Sequence, residues 1–191
     1  MIRIALCGNI ASGKSEVQRF LERQGFKVLD TDKVSHELLT VKNNKLYEHF
    51  KDFDVFENGE FSREKFGRLV FADENLRKDL EKILHPRIAE KIKEFFNDNF
   101  SEKLTFVAIP LLYEAKMEYL FDKTIFVYAD DNIRLERLIK RNHYDIEYAK
   151  KRLSSQIPQE EKIKSADYVL YNNGTKEELQ KKVQEILKTL C

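Results

Sequence analysis

A short β-rich apolar run, residues 2–6, opens the chain; it lacks strict alternation and is ended by Gly8, which predicts a strand buried on both faces. Apolar positions then recur at helical spacing, at Val17, Phe20 and Leu21, from a start inside Gly13-Lys14-Ser15 to Gly25, a natural left-handed stop. Residues 26–29 read as a second strand ending at Asp30-Thr31-Asp32, which completes a β-α-β unit. From residue 33 to about 99 the pattern is mostly helical, with Asn58-Gly59 as a turn and with apolar residues at three- and four-residue steps over 63–84. Buried-strand patterns return at 104–109, ending at Pro110, and at 124–128, ending at Ala129-Asp130. Two polar helices follow at 132–141 and 146–156, then a last strand at 168–171 and a closing amphipathic helix at 176–190.

This order predicts a three-layer α/β/α fold, a doubly wound parallel sheet whose ligands lie at the strand C-termini. It divides one domain, 1–191, into a core (1–33, 103–131 and 167–191), a helical insertion (34–102) and a helical lid (132–166).

Charge narrows the class of ligand. The 34 Lys and Arg against 33 Asp and Glu leave a net charge of +1, too little for the broad field that nucleic acid or anionic membrane binding uses. Anionic ligands must be met by local clusters. With 42% hydrophobic and 35% charged residues the chain is globular, and no apolar run approaches a membrane span. The N-terminus is too quickly followed by a Gly-rich loop to be a secretory signal, and Cys7 and Cys191 lack metal-type spacing, so a soluble protein of the reducing cytoplasm is expected. Cys7 reads as a small buried residue at a strand end. A monomer is expected, with an oligomer left open.

Gly8-Asn9-Ile10-Ala11-Ser12-Gly13-Lys14-Ser15 fits G-x-x-x-x-G-K-S, between a predicted strand and a predicted helix, the context this phosphate loop requires. Gly8 and Gly13 let backbone N–H groups turn inward around phosphate oxygens, and the helix N-terminus adds its dipole. Lys14 would reach the β- and γ-phosphates, and the Ser15 hydroxyl suits Mg²⁺, a hard ion that prefers oxygen. A chance match would arise in about one chain of this size in a hundred or fewer, before the flanking elements are required.

The switch and base-reading strings of a GTPase, D-x-x-G and N-K-x-D, are both absent, and an ABC-type subunit would be longer. A small kinase remains. Asp30 and Asp32, one residue apart at a strand end, can point the same way. Asp32 could accept the proton of an attacking hydroxyl or hold it in line, and Asp30 or Asp32 could reach Mg²⁺ through water. Helix capping is the alternative for such a pair. Arg137 and Arg141, four apart on a predicted helix, face one way and could stabilise charge on the transferred phosphate, although such pairs are often a solvated face. Arg152 and Gln156 repeat the device.

Taken in order along nearly the whole chain, the residues resemble the dephospho-CoA kinases, a family with the P-loop fold of nucleoside monophosphate kinases. To the phosphate loop and the Asp-x-Asp are added Asn58-Gly59 with Arg63, Leu84-His85-Pro86-Arg87-Ile88, Pro110-Leu111-Leu112-Tyr113-Glu114, the series Arg137, Arg141, Arg152, Gln156, Lys162 and Ala166-Asp167, and Asn172-Asn173-Gly174. The resemblance implies transfer of the ATP γ-phosphate to the ribose 3′-hydroxyl of dephospho-CoA, the final step of coenzyme A synthesis. It implies Asp32 as base, with Lys14, Arg137 and Arg141 stabilising charge. ATP would meet Gly8, Asn9, Ile10, Ala11, Ser12, Gly13, Lys14, Ser15, Glu16, Asn173 and Gly174, with Mg²⁺ on Ser15. The acceptor would meet Asp32, Arg63, His85, Arg87, Pro110, Leu112 and Glu114. His85-Pro86 also reads as a helix cap and stop, the reading preferred for His85, and Leu111-Leu112 as core.

Two departures stand out. Asn9 and Ala11 occupy loop positions where many members of the family have Gly, so ordinary backbone angles are expected there. Ala108, before Ile109-Pro110, supplies no carboxylate to the metal. A kinase for another small acceptor, such as a nucleoside monophosphate, is the nearest alternative, and a nucleotide-binding module without chemistry is a more distant one.

Overall fold

The computed structural model describes residues 1–40, 44–57 and 60–190; the turn expected at Asn58-Gly59 and Cys191 lie outside them. In chain order the elements are β1 (Ile2–Cys7), α1 (Lys14–Arg23), β2 (Lys27–Asp30), α2 (Thr31–Thr40), α3 (Asn44–Phe50), β3 (Phe56–Glu57) and β4 (Glu60–Phe61). They continue with α4 (Arg63–Ala72), α5 (Glu74–Asp98), β5 (Leu104–Ala108), β6 (Lys123–Tyr128), α6 (Asp131–Asn142), α7 (Ile146–Ser154), α8 (Gln159–Lys162), β7 (Tyr168–Tyr171) and α9 (Lys176–Leu190). The chain forms two compact units, 1–31 with 92–191, and 32–91.

The first unit is built on a five-stranded parallel sheet in the order β2-β5-β1-β6-β7. The expected doubly wound order is present: the chain leaves β1 for the β2 edge, and leaves β6 for the β7 edge. The loop after β1 therefore sits beside the point where connections diverge, the usual place for a ligand in an open α/β sheet. The central strands are apolar without alternation: on one face Ile4, Leu6, Phe106, Ile125 and Val127 are buried with Leu170 of β7, Val17 and Leu21 of α1 and Leu179 and Val183 of α9, and the alternate residues Ala5, Val107 and Phe126, which point to the other face, are buried as well.

Carboxylates just ahead of two strands fix where they begin. Asp122 accepts from the Arg3 amide at 2.8 Å and from its guanidinium at 3.0 and 2.6 Å, joining the starts of β1 and β6. Asp167 accepts from the Thr124 amide at 2.8 Å and from Lys123 at 2.9 Å, joining β6 to β7.

The second unit has its own core, Leu46, Phe50, Val55, Phe66 and Val70, with Phe50 and Phe66 meeting edge to face at 4.9 Å. Three details differ from the periodic reading. The apolar stretch over 63–84 is two helices, broken at Asp73, whose backbone is extended and whose carboxylate accepts from the Asn75 and Leu76 amides at 2.8 and 3.3 Å. The mostly helical segment also holds the short antiparallel pair β3-β4. Pro86 does not stop a helix: α5 runs from Glu74 through it to Asp98.

Candidate active site

The phosphate loop joins β1 to α1, and its two glycines are required for different reasons. A side chain on Gly8 would lie 2.6 Å from the Ser12 hydroxyl and 2.7 Å from the Val127 carbonyl oxygen, so close packing against β6 excludes one. Gly13 has φ +101°, in the left-handed region, and a Cβ there would collide with the Asn172 side-chain amide. Ala11 corrects an expectation. Its φ is +63°, so this loop places an alanine in the left-handed conformation rather than at ordinary angles, at a cost of about 1–2 kcal/mol. The turn is closed locally by the Ser12 amide donating to the Asn9 carbonyl at 3.0 Å.

Side chains from distant elements brace this loop. The Asn172 amide, after β7, donates to the Ser12 carbonyl at 2.7 Å. Arg137 of α6 donates to the Asn172 carbonyl at 3.0 Å and reaches the Ser12 carbonyl at 3.5 Å. Arg134, one turn earlier, is buried and donates to the Ile10 carbonyl at 3.0 Å and to Asp131 at 2.7 Å. Burial lowers the Arg134 pKa, with Asp131 opposing. The Ile10 amide donates to Gln156 at 2.7 Å.

A cleft of about 600 Å³ opens on Ala11, Gly13, Lys14 and Ser15, with Arg137, Arg141, Asn172 and Gly174 across it. Lys14, Arg19, Arg137, Lys140, Arg141 and Lys176 line it against one carboxylate, Glu16. That carboxylate is held below its usual pKa, first by the Arg19 hydrogen bond at 2.6 Å, with Lys176 3.6 Å away. Lys14 is only 9% exposed, and among the described residues no carboxylate pairs with it. A buried ammonium facing a basic cleft needs an anion, and a chain of phosphates supplies several.

Of the residues expected to meet the nucleotide, Ala11, Gly13, Lys14, Ser15, Glu16 and Gly174 line this cleft, whereas Gly8, Asn9, Ile10 and Ser12 do not. Asn173 instead accepts from the Asp130 amide at 2.9 Å, ordering the turn into α6. Arg141 lines the cleft while its guanidinium donates to Asn142 at 2.8 Å. Asp30 ends β2 and accepts from Gln18 at 3.1 Å. Asp32 lies in the first turn of α2, so strand alternation does not align it with Asp30 as expected from their spacing. Thr31 between them donates its hydroxyl to the Ala108 carbonyl at 3.1 Å.

The residues assigned to the acceptor belong to both units. Arg63 opens α4. His85 and Arg87 lie in α5, within the second unit; burial lowers the His85 pKa, against Glu81, and Arg87 stands 3.6 Å from Glu90. Pro110 is half-buried, Leu112 wholly buried and Leu111 exposed. Glu114 pairs with Lys162 at 2.6 Å and leaves its second oxygen buried without a hydrogen-bond partner. Asn172 and Arg134 were not singled out individually by the sequence reading, although Asn172 opens the Asn-Asn-Gly string and Arg134 precedes Arg137 by one turn.

A family model for dephospho-CoA kinase matches residues 2–178. The dephospho-CoA kinase of Helicobacter pylori is 37% identical over 190 residues, covering 98% of this chain and 96% of its own length. A solved protein from Thermus thermophilus superposes with a TM-score of 0.87 at 33% identity, covering 100% of this chain and 98% of its own. The solved dephospho-CoA kinase of Campylobacter jejuni gives 0.73 at 29%, covering 98% and 96%.

Proposed function

The chain belongs to the dephospho-CoA kinase family and catalyses the last step of coenzyme A synthesis, and we propose that the basic cleft over residues 8–15 is where it holds the triphosphate of ATP. The observation that carries this assignment is Lys14, buried without a carboxylate partner among the described residues at the mouth of an α1 N-terminus. In the transfer, the ribose 3′-oxygen of dephospho-CoA forms a bond to the γ-phosphorus. The bond from that phosphorus to the β,γ-bridging oxygen breaks, and ADP leaves. Asp32 takes the hydroxyl proton; its support is the family pattern and its place at the start of the helix that follows β2. Lys14 and Arg137, with Arg141 beside them, stabilise charge spreading over the phosphate oxygens.

Mg²⁺ fits this cleft as a substrate-held ion. The described residues contain no cluster of three or more His, Cys, Asp or Glu that could cage a metal, whereas Ser15, with its hydroxyl, lines the cleft, and phosphate oxygens and water would provide the rest of such a shell. The ion would be held by Ser15 and the phosphates, with Asp30 or Asp32 through water, and would neutralise phosphate charge.

On the strength of the family pattern alone, we assign recognition of the acceptor to Arg63, His85, Arg87, Pro110, Leu112 and Glu114. No helix among the described residues is long and apolar enough to cross a membrane. We assign the activity to the cytoplasm, acting on two small molecules as a monomer. Competition between acceptors tests the substrate: with ATP and Mg²⁺, turnover of dephospho-CoA should exceed that of nucleoside monophosphates at equal concentration. Faster turnover of a nucleoside monophosphate would move the chain's specificity to that class.

A further inference from the structure

Lys162, the last residue of α8, is a buried cation outside the basic cleft. Its side chain is 1% exposed. Its ammonium donates to the Asn9 side-chain oxygen at 2.7 Å and to Glu114 at 2.6 Å. Asn9 in turn donates its side-chain amide to the Ile157 carbonyl at 2.9 Å, and the Ile157 amide lies 3.4 Å from the same Glu114 oxygen. Four groups from four parts of the chain therefore close a ring: the phosphate loop, the turn after β5, the strap before α8, and the end of α8. The orientation of the Asn9 amide follows from chemistry, because an ammonium can only donate and must face the oxygen.

Asn9 belongs to the backbone of the loop as much as to this ring. Its carbonyl accepts the Ser12 amide at 3.0 Å, so a shift of Asn9 shifts the turn that presents Ala11, Gly13 and Lys14 to the cleft. Lys162 itself does not line that cleft. Its place outside the lining of the cleft and its grip on the loop define a residue that acts through another.

Resting on the reading of residues 8–15 as a polyphosphate cradle, we propose that Lys162 is a positioning residue, fixing Asn9 and through it the geometry in which the loop meets the nucleotide. It is matched to Glu114, which would otherwise be a half-buried carboxylate without a counter-charge. The ring also ties residues 156–158, the strap that follows α7, to the loop, so the ammonium orders both together.

Nucleotide affinity and kinetics of two variants test this. Lys162→Met strips the counter-charge from Glu114 and endangers folding, so the deciding variant is Lys162→Met with Glu114→Gln, in which neither charge remains. In the folded double variant the dissociation constant for ATP, by calorimetry, should rise roughly tenfold or more, as for loss of a group that orients a ligand-binding residue. The KM for ATP should rise with it, and Lys162→Arg should recover part of the loss. ATP affinity equal to wild type in the folded double variant overturns the proposal. So does a double variant that fails to fold, which would make Lys162 a strut of the fold. A wild-type chain that binds no ATP is a separate result, overturning the cradle reading and this proposal with it.

Discussion

At residue scale the decisive group is the Lys14 ammonium, buried with no carboxylate paired to it among the described residues. Because the charge it meets grows during transfer, Lys14→Ala should lower kcat by about 10²–10³, or about 3–4 kcal/mol of transition-state stabilisation. Steady-state kinetics read this directly, and an unchanged kcat would contradict the role. Gly8, Gly13, Lys14 and Ser15 were legible in the sequence because the motif is contiguous and each residue type has a local reason to be there. Asn172 and Lys162 stand in the strings that carry the family resemblance, but their partners were not legible: the loop atoms they hold lie 160 and 153 residues away, and no local pattern encodes such pairing. Ala11 was misjudged because a non-glycine residue carries no sign of positive φ; that angle is set by the loop around it.

At the scale of elements, hydrophobic patterning recovered the sheet strands, of which the central β1, β5 and β6 are buried along most of their length. The residues between 33 and 99 were read as helical, but not their breaks. Asp73 interrupts a pattern whose apolar spacing continues across it, and Pro86 sits inside a helix that tertiary packing sustains. The strand starts offer a test of their own. The Asp122 carboxyl is held below its usual pKa chiefly by the Arg3 side-chain hydrogen bond. A group whose pKa falls on folding adds stability above its unfolded pKa, about 3.9, and loses it as pH drops through the lower folded value. Asp122→Asn should therefore cost about 1 kcal/mol or less near neutral pH, the pair being partly exposed, and the deficit should shrink below about pH 4. Denaturant unfolding of both proteins across pH measures it; a deficit that grows in acid would contradict the pairing.

For the whole molecule, the hydrophobic pattern places the helical insertion at 34–102, whereas residues 32–91 form the second unit and the end of α5, from Ile92 on, belongs to the first. The expected lid, 132–166, contains α6, α7 and α8, all within the first unit. Its side chains grip the phosphate loop through Arg134, Arg137, Gln156 and Lys162. Transfer to an alcohol rather than to water requires the γ-phosphate to be shielded, so residues 132–165 should close when both substrates are bound. Limited proteolysis should then cut this segment more slowly with an ATP analogue and dephospho-CoA than with neither. Equal cutting rates would count against closure.

The fate of the γ-phosphate distinguishes this kinase from a hydrolase. With ATP labelled at the γ-position, Mg²⁺ and dephospho-CoA, phosphorus NMR and mass spectrometry of the product should show the label as a new monoester on the ribose 3′-oxygen, one per ADP formed. Release of the label as inorganic phosphate, with dephospho-CoA unchanged, would contradict it.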